Sequence, residues 1–571
     1  MKTRITLLLT ALILASAALS FATQVDSVLF AAMHDELTRN MSSLVMENLD
    51  RPYFIGYTID DYQSLSVEGV LGAITRSNLD RGRYLTVDLR VGSPQLDNSN
   101  FIAGFFGGGQ DYFSIPYEDN YDAVRNKIYL ATDELYKQAL KTLSQKKAYL
   151  QTRIVNDRPD DFIMPAANKY IGSTQQFDLE KAKFEELIQA ASEVFLKYPE
   201  IISSKINLTA SINNEYLVNS VGSQMQRGDR LYTISLNMNA KSADGDDLEG
   251  SDRITSLTAA ELPSKAELVK WAQSNADNMK ARIAGVTIDD YTGPVLMTGD
   301  AAAEFFRQLL VKNISDCPAP TYERDQMADR FPGPALANKV KRRVLPDNFN
   351  VFDDPTIDKY HGFNLIGHFA VDDAGNPSKK VQLVENGKLV NLLIGESPTK
   401  LIKEANGHAR GAIGKDLEAR PGNVIIESNT TLPITDLKKS MLDMCRDMGL
   451  EYGIVITQLG NPNAPGGGFF SLSSGETALA PPLAAYKIYP DSREEQVRNL
   501  EFNDVNIRIL KDILQAGDDM HCYNYLIGDD TEMPVSLVCP SVLVEEMELK
   551  KNESKVEKPP VLPSPLAKKI E

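Results

Sequence analysis

"GPVLMTGDAAAEFFRQLL", residues 293–310, reads as a strand that runs into a helix. Pro294 to Met297 are apolar and extended in style. Thr298, Gly299 and Asp300 then offer capping groups, and strong helix formers begin at Ala301. A strand-to-helix corner is a common seat for catalytic groups, yet this one contains neither histidine nor cysteine.

Outward from that corner, the chain mixes strand and helix patterns in no regular alternation. Residues 26–48 read as a helix, and 53–93 as antiparallel sheet in which Leu85, Val87, Leu89 and Val91 alternate with polar residues. Ile128, Ala131, Leu135, Ala139 and Leu143 recur every three or four residues, which predicts a long amphipathic helix over 121–150. Further helices are expected at 178–197 and 264–283. Strands are expected around 206–212 and 234–240, where apolar and polar residues again alternate. Beyond 285 the pattern is strand-rich. "VQLVENGKLVNLLI" is a hairpin in which Asn386-Gly387 suits a tight turn. Other strands are expected at 363–370, 422–427, 451–458, 484–489 and 503–509, and "PNAPGGGFF" reads as a flexible loop. This order does not fit a regular parallel α/β wind. It predicts an α+β protein of two domains: an N-terminal mixed sheet with long helices over 23–285, and a largely antiparallel C-terminal domain over 286–548. Residues 549–571 are charged and Pro-rich and read as a disordered tail.

At 571 residues the chain exceeds one ordinary core, and its 43% apolar content is that of a globular protein. Sixty basic against 78 acidic side chains give a net charge of −18, which argues against nucleic acid as the main partner. Lys2 and Arg4 precede the apolar run "ITLLLTALILASAALSF", and Ser20-Phe21-Ala22 supplies the small residues of a cleavage site. Residues 1–22 are therefore expected to be a signal peptide, with the protein exported to a periplasmic or extracellular compartment. No membrane span is expected after its removal. Four cysteines, Cys317, Cys445, Cys522 and Cys539, are too few for a disulfide scaffold. Cys522 and Cys539 are close enough in sequence to bridge, but their pairing is open. None lies in a CxxC, which disfavours structural zinc.

"YTGPVLMTGDAAAEFFRQLL", "VFDDPTIDKYHGFNLIGHFAVDDAGNPSKKVQLVENGKLVNLLIGESPTK", "NGHARG" and "AAYKIYPDSREEQVRN", in this order and spacing, resemble the TldD/PmbA family and its exported branch in particular. The resemblance implies an N-terminal α+β domain and a barrel-like C-terminal sheet. It also implies descent from metallopeptidases whose zinc sits on an HExxxH at a strand-to-helix junction, with a third ligand from farther along the chain. Zinc needs about three protein ligands and a labile water, and the Glu takes that water's proton. In this chain Thr298 stands at the first His, Gly299 at the Glu and Ala303 at the second His. A hydroxyl, a hydrogen and a methyl do not hold zinc, so no metal and no cofactor are expected, although catalytic relatives carry zinc. The resemblance further implies a PmbA-like role: a non-catalytic subunit beside a TldD-type catalytic partner, or a homodimer, with peptide as ligand. Such sheets allow binding by strand addition at an edge.

Among the remaining candidates, His408 in the Gly-flanked "NGHARG", with Arg410 beside it, is the best cleft residue. Asp300 and Glu304, four apart, would share a helix face and could do acid–base work; an N-cap and a solvated carboxylate are the plainer reading. His361 and His368 flank an extended segment, and His34 lies on a helix face. His521 beside Cys522 is weak, because neighbours on a strand point apart. "SPTK", 397–400, matches SxxK, but Pro398 opposes the helical turn that pattern needs. Two other function classes stay open: a hydrolase with a non-standard site, and a structural oligomeric protein of the exported compartment.

Overall fold

The computed structural model describes residues 27–103, 112–153, 158–176, 180–315, 320–324, 326–327, 333–460, 479–527, 533–552, 560 and 562–567. The expected signal peptide, the loop "PNAPGGGFF", most of the expected tail and Cys317 lie outside these residues. Among the described residues, no helix is long and apolar enough to cross a membrane.

Among the described residues, the N-terminal part is one largely antiparallel sheet under four helices, with the short strand Lys169–Ile171 added in parallel beside Gln224 to Gln226. Helix α1 (Ser27–Ser43) precedes a long hairpin of β1 (Pro52–Val70) and β2 (Ala73–Ser93). Helices α2 (Tyr121–Gln151) and α3 (Lys181–Glu193) follow, then strands β3 (Ile201–Asn219), β4 (Gln224–Lys241) and β5 (Asp247–Ser256), and helix α4 (Lys265–Ile283). The long strands run in the order β2-β1-β3-β4-β5. Strand alternation then sorts their side chains. Ile55, Tyr57, Ile59, Leu65 and Val67 of β1 point to one face and pack beneath the helices, joined there by Leu85, Leu89, Leu208 and Ile234. The intervening residues, mostly polar, point to the other face. Each long helix is apolar where it meets the sheet. Asn120 caps α2 by accepting from the Ala123 amide at 3.0 Å, and Ser264 and Glu267 form a capping box at α4.

The C-terminal part holds two further sheets. Strand β6 (Asp290–Met297) leads into helix α5 (Asp300–Phe306), which continues as a π-helical turn over Arg307–Val311. Next come β7 (Phe349–Asp353), β8 (Val381–Glu385), β9 (Asn423–Ser428), helix α6 (Ile434–Asp447), β10 (Gly453–Leu459), β11 (Pro482–Ile488) and β12 (Glu494–Val497). Strands β13 (Ile513–Gly517), β14 (His521–Ile527), β15 (Met533–Cys539) and β16 (Val542–Lys551) complete it. One sheet has the order β13-β16-β6-β10-β11-β12, the other β8-β7-β9-β15-β14. Most pairings are antiparallel. β6–β10 and β9–β15 are parallel, and the strand orders stay open rather than closing into a barrel.

The corner sits at the centre of this arrangement. Val295 and Met297 face the core between the two sheets, while Leu296 faces α6 through Leu437, Met441 and Cys445. A strand covered on both sides reads as an unbroken apolar run, which is what residues 294–297 are. Helix α5 runs through the same core, with every residue from Ala301 to Phe306 buried. Its alanines carry only a methyl group, so neighbouring layers approach closely.

Three expectations differ from the structure. Residues 503–509 form no strand. Leu500–Phe502 pairs briefly with β16, and the Asn506 side chain then caps a 3-10 turn over Ile507–Lys511. Only Phe363–Asn364 of 363–370 is strand; at Gly367 the backbone passes so close to the Gly422 carbonyl that a Cβ there would be 2.0 Å from it. β16 reaches Lys551, so the first residues of the expected tail pair with β6. Helix α6 has no counterpart in the sequence reading.

Candidate functional site

At the corner, Gly299 has φ +53° and ψ −127°, a conformation open to glycine alone, and a Cβ there would meet nothing within 4 Å. The two acids on α5 are not a free pair. Asp300 Oδ1 lies 2.7 Å from His521 Nε2, and both side chains are partly exposed. Glu304 is buried, contrary to the solvated reading. Its Oε1 accepts from the Tyr523 hydroxyl at 2.7 Å, and its Oε2 from Arg307 Nε at 2.9 Å and Gln308 Nε2 at 2.8 Å. Residues four apart on a helix are about 6 Å apart along its axis, and residues two apart on a strand about 6.7 Å. Asp300/Glu304 and His521/Tyr523 therefore meet rung to rung. Sequence reading set His521 aside; the crossing of β14 over α5 gives it a partner 221 positions away.

This corner does not fit zinc. Thr298 spends its amide on the Ile456 carbonyl, Ala303 is fully buried in apolar surroundings, and Gly299 has no donor. The Asp300–His521 pair supplies two ligand types where about three are needed. Among the described residues, no group of three His, Cys, Asp or Glu side chains is spaced to hold a metal ion. Cys445, Cys522 and Cys539 are free thiols. Cys522 and Cys539 do not bridge, because β14 pairs Cys522 with Val538 and leaves the two cysteines on opposite faces of the sheet.

His408 is fully buried rather than in a cleft. Its Nδ1 lies 2.9 Å from the Asn406 carbonyl and its Nε2 3.3 Å from Asp353 Oδ1. Asp353 in turn accepts from the Gly422 and Asn423 amides. The unit ties the 408–410 segment to β7 and β9. Arg410, two residues on, does reach a cavity. Its Nη1 donates to the Pro421 and Pro534 carbonyls, and its guanidinium lies over the Phe369 ring at 4.8 Å. His368 lines the same cavity, whereas His34 sits near Phe30 on α1 and His361 on a short turn with φ +48°.

That cavity has a volume of about 1610 Å³ and lies between the uncovered face of the N-terminal sheet and the segments 366–374 and 396–417. This is larger than the roughly 300–1,000 Å³ of a small-molecule site. Its floor is the polar register of the strands: Thr58, Asp60 and Tyr62 from β1, Thr86, Asp88 and Arg90 from β2, Asn213 and Glu215 from β3, Arg227 from β4. Two arginines tie floor to roof. Arg90 Nη2 donates to Glu396 at 3.0 Å, and Arg227 Nη2 to both Glu215 and Asp373 at 2.6 Å. Burial raises the carboxyls of Asp60 to about 6 and Glu396 to about 8, and raises Glu215 well above its usual range. None of these floor residues was singled out from sequence. Their one signal was charge at the polar positions of otherwise ordinary alternating strands.

Residues 291–551 match the family of the PmbA/TldA metallopeptidase C-terminal domain. Through this domain, the C-terminal part of the chain, residues 291–551, falls in the TldD/PmbA family. No curated protein sequence matches it significantly. Solved structures share its fold across most of its length. TldE from Thermococcus kodakarensis is 13% identical with a TM-score of 0.58, covering 91% of this chain and 99% of that one. A candidate modulator of DNA gyrase from Thermotoga maritima is 17% identical with a TM-score of 0.56, covering 87% and 96%. Another from Bacteroides thetaiotaomicron is 13% identical with a TM-score of 0.53, covering 92% and 98%.

Proposed function

We propose that this TldD/PmbA-family chain is exported, holds no catalytic zinc of its own and serves as a peptide-binding, PmbA-like subunit, alone as a homodimer or beside a TldD-type catalytic partner. The feature that carries the reading is the corner: Thr298, Gly299 and Ala303 stand where the family resemblance places the metal-binding motif, and none of them offers an imidazole or a carboxylate. The fold shared with TldE agrees with it. The cavity supplies the room for a peptide, walled by hydrogen-bonding side chains on a rigid sheet. The charged start and apolar run of residues 1–22 support export.

The test is metal analysis of the purified protein together with peptide binding and cleavage, with and without a TldD-type chain carrying an intact HExxxH. The expected result is binding without stoichiometric zinc, and cleavage only when the second chain is present. Chelator-sensitive cleavage by this chain alone would overturn the reading. One feature favours a hydrolase instead: the partly exposed Asp300–His521 pair beside the open space over Gly299. A metal-independent cleavage abolished by His521→Ala would establish that second reading.

A further inference from the structure

The cavity floor presents more hydrogen-bond acceptors than the protein itself satisfies, and we propose that it binds an alkylammonium group of the ligand. The proposal rests on the peptide reading, in which that group is a free N-terminus or a lysine side chain.

Three of the residues share one rung of the sheet. Asp60 of β1 stands directly opposite Glu215 of β3, and Glu215 directly opposite Arg227 of β4. Two like charges facing each other across an antiparallel pair are destabilising. A single Arg227 does not cancel them, because its guanidinium is shared with Asp373 at 2.6 Å and Asp229 at 3.1 Å. Arg410 is the other cation in this group, and its Nη1 is committed to two carbonyls. Four carboxylates thus surround two guanidiniums.

The oxygens left over are all acceptors. Glu215 is 4% exposed, and its Oε1 has no hydrogen-bond partner, although Oε2 is held by Arg227. Asn213 donates its amide to Asp60 Oδ1 at 2.7 Å, which leaves its own Oδ1 buried without a donor. Asp60 is 5% exposed, and this bond engages one of its two oxygens. An orphaned buried acceptor costs about 1–3 kcal/mol. An ammonium group carries a positive charge and three donors, and no acceptor that would need a partner of its own. It answers both the excess charge and the orphaned oxygens. A divalent ion is the poorer match, since no trio of metal-ligating side chains is suitably spaced among the described residues.

The test is calorimetric titration of the purified protein with three amidated peptides: pentaalanine with a free amine, acetyl-pentaalanine, and acetyl-Ala-Ala-Lys-Ala-Ala. n-Butylammonium chloride is titrated alongside. At least one amine-bearing peptide is expected to bind ten times or more tighter than acetyl-pentaalanine, and which one does so names the source of the amine. Glu215→Gln should reduce that advantage to twofold or less while leaving the neutral peptide's affinity in place. Asp60→Asn should do the same, and stands in if the first variant fails to fold. Amine-bearing and neutral peptides binding within twofold of each other would overturn the ammonium site and leave the peptide reading standing. Glu215-dependent binding of butylammonium with no peptide binding would uphold the ammonium site and remove the peptide reading. No binding by any of the four would overturn both.

Discussion

Replacing Asp60 by asparagine should stabilise this protein at neutral and alkaline pH. Burial raises the Asp60 carboxyl from 3.8 to about 6 in the folded state. At 1.36 kcal/mol per pH unit, keeping it ionised costs about 3 kcal/mol above that pH. The folded chain binds the proton more tightly than the unfolded chain, so this contribution falls as pH rises from about 4 to about 6 and stays low above. Asp60→Asn removes the charge, keeps an oxygen for the Asn213 amide and adds a donor directly opposite Glu215. Part of the gain is lost to imperfect geometry, which leaves about 1–3 kcal/mol at pH 8. Near pH 3.5 both proteins are uncharged at this position and the difference should close. Urea denaturation of both proteins at the two pH values measures it. A variant less stable at pH 8, or equally shifted at both, would refute the account. Since the same substitution is expected to remove the preference for an amine, stability gained here is function lost.

Tyr523→Phe leaves Glu304 Oε1 buried without its donor and should cost about 2–3 kcal/mol in denaturant midpoint, whereas His521→Ala, at an exposed pair, should cost less than about 1 kcal/mol. Arg498→Ala strands the buried Asp246 carboxylate, to which it bridges from the C-terminal part, and should cost about 3–5 kcal/mol; a loss below about 1 would mean that Asp246 does not depend on this ion pair. Gly387→Ala should destabilise by more than about 2 kcal/mol, because φ is +73° and the added Cβ would lie 2.4 Å from the Leu345 carbonyl oxygen. Denaturation without reductant followed by alkylation should label Cys445, Cys522 and Cys539, and an unlabelled 522/539 pair in mass spectrometry would contradict the strand register.

Elements with a repeating pattern were legible in the sequence. The period-two runs of β1 to β4 and the three-to-four spacing of α2 are imposed by burial on one side only, so composition carries them directly. The Asn386-Gly387 turn was equally plain, since both residues adopt positive φ, as their chemistry allows. Helix α6 escaped although Leu437, Met441 and Cys445 recur every four residues, because Ile434, Leu442 and Met444 mixed with charged side chains blur that stripe. The candidate site was legible only where it was local. Thr298, Gly299 and Ala303 lie within six residues, and their lack of metal donors is a matter of composition. The cavity floor gathers four strands, and His521 meets Asp300 across 221 positions; no local pattern encodes such meetings.

The rung-to-rung docking of α5 on β14 makes strand alignment a chemical choice. β14 carries His521, Tyr523 and Tyr525 on one side, and Cys522, Asn524 and Leu526 on the other. A slip of one position against β15 would turn the strand over. Asp300 and Glu304 would then confront a thiol and an amide in place of an imidazole and a phenol. Whichever duty the corner performs, its chemistry is chosen by the backbone ladder between residues 521–527 and 533–539.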